Sequence, residues 1–184
     1  MTKIGIILGS TRPGRNGEQV AKWALDIAAK RTDAEFELVD LLDYQLPHLD
    51  EAIPASMGQY SQPHTLAWAE KIASFDGFLI VTPEYNHSTS GALKNAIDYL
   101  FAEWNNKAVG FVSYGSAGGA RAVEHLRLVA GELMMADVRA QVMFSLATDF
   151  ENYSLLLPKQ YHEEQLTAVL DQVVAWSGAL AHLR

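Results

Sequence analysis

Three stretches of this chain, Ile4–Leu8, Gly77–Thr82 and Ala108–Ser113, are apolar almost without interruption. A strand with no polar side has no face to show water, so runs of this kind belong inside a parallel sheet covered on both faces. Each run is followed by a turn bearing Gly or Pro and then by apolar residues at helical spacing. Val20, Ala24, Ile27 and Ala28 follow the first; Leu93, Ala96, Ile97 and Leu100 the second; Val123, Leu126, Ala130 and Leu133 the third. Glu35–Val39 alternates polar with apolar and reads as a strand nearer an edge, and Leu66, Ala69, Ile72 and Ala73 mark the helix after it. Val138–Phe144, with Arg139 and Gln141 alternating, reads as an outer strand, and Leu166, Val169, Leu170, Val173 and Val174 as a closing helix.

Strands alternating with helices throughout predict an α/β chain whose parallel sheet lies between two helical layers. About five such units fit a three-layer, doubly wound, flavodoxin-like fold with strand order 2-1-3-4-5. At 184 residues, without repeats or linkers, the whole span 1–184 is expected to be one domain. Two stretches lack a clear period, Asp43–His64 and Leu146–Lys159. The first is long enough to suggest a functional loop or one packed against a partner.

The strand order fixes where a ligand should sit: beyond the carboxyl ends of the strands, where the winding reverses between the first and third. The first loop there is Gly9-Ser10-Thr11-Arg12-Pro13-Gly14-Arg15-Asn16-Gly17. A strand, a Gly-rich turn and a helix start make an anion site from backbone alone, because the first helical N–H groups have no partner. Ser10 and Thr11 offer hydroxyls, and Arg12 and Arg15 offer charge-assisted contacts to phosphate oxygens. Asn16 with Gln19 three residues on predicts a capping box. Taken alone, the loop fits a plain βα connection equally well. Walker A is ruled out, since Arg15 and Asn16 follow Gly14 where Lys and a hydroxyl residue are needed. The dinucleotide fingerprint is ruled out too, since Ser10 and Thr11 follow Gly9. What remains suits a compact phosphate.

Two further loops open at the same end, Pro83-Glu84-Tyr85-Asn86-His87-Ser88 and Tyr114-Gly115-Ser116-Ala117-Gly118-Gly119. The first suits a flat heteroaromatic ring, with peptide groups for its rim; its bland reading is a turn before Ser90 caps the next helix. His87 as a proton donor and Glu84 as a general base both lack a partner group in the sequence. The acidic balance, −8 at neutral pH, argues against nucleic acid or an anionic membrane as partner. With no cysteine there is no disulfide, thiolate nucleophile or cysteine–zinc site, and the six histidines show no metal-ligand spacing. No membrane span and no signal segment are expected, which makes the cytoplasm the default setting.

Gly-Ser-Thr-Arg-Pro-Gly-Arg-Asn-Gly at 9–17 is the first of three ordered motifs that resemble the NADPH-dependent FMN reductase family of the flavodoxin-like superfamily. The second is Pro-Glu-Tyr-Asn-His-Ser at 83–88 with Gly91-x-Leu93-Lys94-Asn95-Ala96-Ile97-Asp98, and the third Ser113-Tyr114-Gly115-x-x-Gly118-Gly119-x-Arg121. The resemblance implies FMN with its phosphate at Ser10, Arg12, Arg15, Asn16 and Gly17. It implies an isoalloxazine against Pro83, Glu84, Tyr85 and Asn86 and the loop holding Ser113, Tyr114, Gly115 and Gly118. It also implies NADPH or NADH as co-substrate, ping-pong transfer to free flavin or a quinone, no catalytic side chain because the chemistry is at FMN N5, and a homodimer or homotetramer. Ser90 departs from the family, many of whose members have proline before the glycine of the second motif. A flavodoxin-type electron carrier and a non-catalytic flavin-binding protein are the alternatives; Arg12 and Arg15 count against the carrier, whose phosphate loop lacks arginine.

Overall fold

The computed structural model describes residues 1–184. Its central sheet is built from β1 (Thr2–Leu8), β2 (Ala34–Asp40), β3 (Gly77–Pro83), β4 (Ala108–Gly115) and β5 (Ala136–Ser145). They run parallel in the order β2-β1-β3-β4-β5, the predicted flavodoxin-like winding. Every residue of β3 and β4 is buried, whereas β2 and β5 alternate and form the two edges. The unbroken apolar runs therefore mark the strands with two covered faces.

Helices α1 (Gly17–Ala28) and α6 (Gln160–Leu180) cover one face, and their apolar stripes meet Ile4, Ile6, Leu8, Leu79 and Val112 in a single cluster. α3 (Pro63–Ala73), α4 (Gly91–Asp98) and α5 (Ala120–Glu132) cover the other, where Trp68 and Trp104 are fully buried. Both indoles find partners in α4: Trp68 Nε1 donates to Ala96 O at 2.8 Å and Trp104 Nε1 to Ile97 O at 3.2 Å. A buried indole N–H left without such a partner would carry a desolvation cost. The stretch 43–64 contains the end of a one-turn helix, α2 (Leu41–Tyr44), and a short 3₁₀ turn, and otherwise runs irregularly over α4.

Two expectations need correction. The span Gln160–Leu183, α6 with the short turn after it, is long and apolar enough to cross a membrane by length and composition. Here one stripe of it, Leu166, Val169, Leu170 and Val173, lies on the sheet with no exposed surface, and most of the rest of the helix faces outward. The stretch 146–159 is not wholly irregular either: β6 (Phe150–Glu151) and β7 (Leu155–Leu156) pair antiparallel as a small hairpin. Two-residue strands are too short to show a period.

α6 begins with a cap that titrates. The Lys159 N–H donates to His162 Nδ1 at 3.0 Å, and the imidazole is fully buried between Phe144 and Tyr161, with Asp149 at 3.8 Å. Burial pushes the His162 pKa below its usual value, against the opposing pull of Asp149. A base whose folded pKa is depressed adds stability above its unfolded pKa of about 6.5 and loses it as pH falls through the folded value. Glutamine at N3 can keep the cap without titrating. His162→Gln should therefore flatten the fall of Tm below about pH 6.5, read by thermal melts across pH 5–8; parallel wild-type and variant curves would remove His162 from the acid response.

Candidate functional site

All three motif loops open at the carboxyl end of the sheet, on either side of the β1/β3 reversal. Pro83 lies beside Tyr114 in register, and the Glu84 N–H donates to Tyr114 O at 2.9 Å, so the second and third loops are joined at their roots. Ser90 joins the first and second. Its hydroxyl donates to Gly9 O and accepts from Leu93 N–H at 3.0 Å, capping α4 as the sequence suggested. The serine that departs from the family pattern thus ties two loops together.

In the first loop, Gly9 still pairs with the sheet, its N–H donating to Val81 O at 2.9 Å. Beyond it, the N–H groups of Thr11, Gly14, Arg15, Asn16 and Glu18 make no hydrogen bond within the chain, while that of Gly17 faces the Tyr114 hydroxyl. The expected capping box is absent. Asn16 holds helical angles, φ −66° and ψ −19°, and its side chain makes no cap; side-chain capping needs an extended residue there. The consequence favours an anion, because the N–H groups of Glu18 and of Gly14, Arg15 and Asn16 just before α1 are left unpaired with the helix dipole behind them. At Gly17 the backbone passes so close to β4 that a Cβ would meet Tyr114 Oη at 2.6 Å and Leu8 Cδ1 at 2.8 Å. Only glycine allows this approach.

The two arginines of the loop differ. Arg15 is buried and turned toward β2, with Nη1 donating to Asp40 Oδ1 at 2.8 Å and Nε to Glu18 Oε1 at 3.0 Å, and with Nη1 also holding Ser10 O. Burial works against its charge, and Asp40 and Glu18 outweigh that penalty. Arg12 is exposed and has no carboxylate partner. Of the two, only Arg12 has uncompensated charge to offer a ligand.

Together the loops bound a cleft of about 280 Å³ lined by Arg12, Asn16, Pro83, Tyr85, Tyr114 and Tyr153, among others. Gly14, Arg15, Glu84 and Gly115 also reach it. Ser10 is fully buried beneath it, its hydroxyl 2.9 Å from the Tyr85 hydroxyl. The Tyr114 hydroxyl is enclosed without a well-formed hydrogen bond, and burial, then Tyr85, pushes its pKa well above the usual tyrosine value. Tyr114 packs its ring toward Phe150 and makes a floor under the first loop.

Tyr85-Asn86-His87-Ser88 is a tight turn, with Tyr85 N–H donating to Ser88 O at 2.9 Å and the reverse bond at 3.1 Å. Asn86 and His87 take φ 47° and 76°, and their N–H groups make no bond within the chain. Non-glycine residues held at positive φ concentrate at ligand-binding positions. Glu84 is no general base. Its side chain is 3% exposed, accepts from Arg121 N–H at 3.0 Å and Nε at 2.7 Å, and so sits at the start of α5. Burial raises its pKa, and the Arg121 guanidinium and N–H bring it back below the usual value. His125 Nδ1 lies 2.9 Å from Ser88 Oγ, with the His87 ring 6.1 Å away, at an exposed rim.

Ser113, Gly118 and Asn86 do not line the cleft. Ser113 Oγ donates to Gly118 O at 2.7 Å, and Gly118 and Gly119, at φ 67° and 79°, shape the turn into α5. Sequence reasoning missed Leu146, Tyr153 and Ser154, which close the cleft from the β6–β7 side. The hairpin turns at Asn152-Tyr153, at φ 51° and 59°, inside a stretch whose sequence reads as irregular.

Residues 2–149 match the model of the NADPH-dependent FMN reductase family. An NAD(P)H-dependent FMN reductase of Schizosaccharomyces pombe is 44% identical over 135 residues, covering 72% of this chain and 68% of that protein. A quinone reductase of Escherichia coli K12 is 36% identical over 137 residues, covering 69% and 68%. A flavoenzyme NAD(P)H:(acceptor) oxidoreductase from Paracoccus denitrificans has the same fold at TM-score 0.74, with 22% identity and 97% and 98% of the two chains covered. The chain thus belongs to the NADPH-dependent FMN reductase family, as an oxidoreductase that works with FMN and NAD(P)H.

Proposed function

We propose that this chain is a two-electron reductase that oxidises NAD(P)H and passes the electrons to a quinone or to free flavin, by ping-pong turnover in the cleft described above. FMN, when bound, supplies the redox chemistry, and the protein supplies position, electrostatics and exclusion of water. The residues fit it. The observation that carries the reading is the set of unpaired N–H groups of Thr11, Gly14, Arg15, Asn16 and Glu18 beside the uncompensated Arg12, a site for a dianion. The Tyr114 hydroxyl, buried and without a good partner, is a polar group of the kind a bound phosphate or ribityl chain would satisfy.

Pro83 and Tyr85 suit the apolar flank of a ring, and the free N–H groups of Asn86 and His87 lie in the turn just beyond that flank, at the rim of the cleft. Glu84, bound to Arg121, orders the second loop against α5. Arg15 fixes Ser10 O and thereby the shape of the first. Neither has a proton to move. A cytoplasmic setting and a second copy of this chain belong to the same proposal; exposed Leu42, Leu49, Ile53 and Met57 on one stretch, and Leu155 and Leu157 on another, supply apolar surface for that copy.

Initial rates with NADPH or NADH varied against a soluble benzoquinone should give parallel double-reciprocal lines, and the denatured protein should release FMN, not FAD. Intersecting lines with both substrates required together would exclude ping-pong turnover. Protein reduced only through a second redox protein would make it a carrier.

A further inference from the structure

The match to the family ends at residue 149, and the β6–β7 hairpin begins at Phe150, so this wall of the cleft lies outside the matched region. Its two halves are held differently. The base is apolar and fixed: Phe150 and Leu156 are buried in the α1/α6 core beside Tyr114 and Phe144. The tip is exposed, with Tyr153 70% accessible, and carries no buried apolar residue. It is tied down by polar contacts to the start of α1. Asn16 Nδ2 donates to Tyr153 O at 2.8 Å and Gln19 Nε2 to Ser154 O at 2.6 Å, while Leu156 N–H donates to Gln19 Oε1 at 3.0 Å.

These two side chains are the ones whose spacing suggested a capping box; they reach across to the hairpin instead. The tied tip sets Tyr153 and Ser154 against the cleft, opposite Arg12, Pro83 and Tyr85. We propose that the β6–β7 hairpin is a flap over the cofactor cleft, latched to α1 by Gln19 and Asn16, and that unlatching it governs both entry and exit of FMN. Lifting the tip breaks the two solvent-exposed bonds to Tyr153 O and Ser154 O and leaves the Phe150–Leu156 base, with the part-buried Leu156 N–H bond to Gln19, in place, so the movement is local. The inference rests on the cleft being the FMN site.

Its test is the kinetics of the cofactor itself, followed by flavin fluorescence on rapid mixing of apoprotein with FMN and on dilution of the holoprotein. Gln19→Leu removes the latch bond to Ser154 O, and with it the bond to Leu156 at the base, at similar size. Tyr153→Gly removes the covering ring at φ 59°, a conformation glycine adopts freely. In both variants release should be about tenfold faster, and uptake should also be faster, so that affinity falls by less than the release rate. A residue that only contacts FMN would change release alone. Cleavage of the hairpin by a protease, slow in wild-type holoprotein, should speed up in Gln19→Leu. Wild-type rates in both variants, or faster release without faster uptake, would overturn the flap while leaving the cofactor assignment intact. Wild-type protein that takes up no FMN would overturn the site and the flap together.

Discussion

Arg12→Ala should weaken FMN binding at least tenfold and leave riboflavin binding nearly unchanged. Arg12 lines the cleft, stands beside the unpaired N–H groups of the first loop, and has no carboxylate to neutralise it. Truncating one partner of a buried charge-assisted contact costs about 2–5 kcal/mol of binding. Arg12 is exposed in the free protein, so solvent screening puts the expected loss at the low end, about 2 kcal/mol. At about 1.4 kcal/mol per tenfold, that remains a loss of more than one decade. Riboflavin has no phosphate and gives the control. Fluorescence titrations of both ligands at matched salt decide the matter: equal losses for the two flavins would mean general damage to the loop, and an unaltered FMN affinity would remove Arg12 from the phosphate site. Melting temperature should not move, because Arg12 holds nothing in the fold.

The parts of this molecule that repeat a physical pattern could be read from sequence. Two-sided burial writes unbroken apolar runs into β1, β3 and β4, edge position writes alternation into β2 and β5, and the order 2-1-3-4-5 then brings the three loops to one end. Ser90 as the cap of α4 was equally legible, since an N-cap is a local device. Contacts made across the fold left no such trace. Asn16 and Gln19 have the spacing of a capping box, yet their partners are 137 and 135 residues away in a hairpin too short to show a period. Arg12 and Arg15 look alike in the loop, and nothing local says that Asp40, at the end of β2, takes one of them. Tyr114 reads as a residue at the ring, and nothing local says that it also reaches under Gly17 into the core while lining the cleft. In each case the element hard to read was a polar side chain whose contacts depend on which strand end the winding places beside it.

Asp40→Ala should separate the second arginine from the first by hitting the fold and sparing the ligand. The Arg15 side chain is 3% exposed and Asp40 21%, and their pairing ties the phosphate loop to the end of β2. Removing one member of a buried pair typically costs about 3–5 kcal/mol, because the other charge is left without compensation. Glu18 remains 3.0 Å from Arg15 but is largely exposed, so the expected loss lies near the lower figure, about 3 kcal/mol. Asp40 also caps α2, accepting from Leu42 N–H at 2.9 Å, which adds a smaller cost of its own. For a chain of this length roughly 2–4 °C of Tm accompanies each kcal/mol, so the melt should fall by about 6–12 °C. Asp40→Asn keeps the shape and an oxygen for the cap while losing the charge, and should fall by less. FMN affinity, measured well below the melt, should change by less than about threefold in either variant, since Arg15 serves the phosphate only by shaping Ser10 O. A variant that melts with the wild type and binds FMN more tightly would show the opposite arrangement: an Arg15 whose charge Asp40 withholds from the phosphate, and a loop that keeps its shape without the pair.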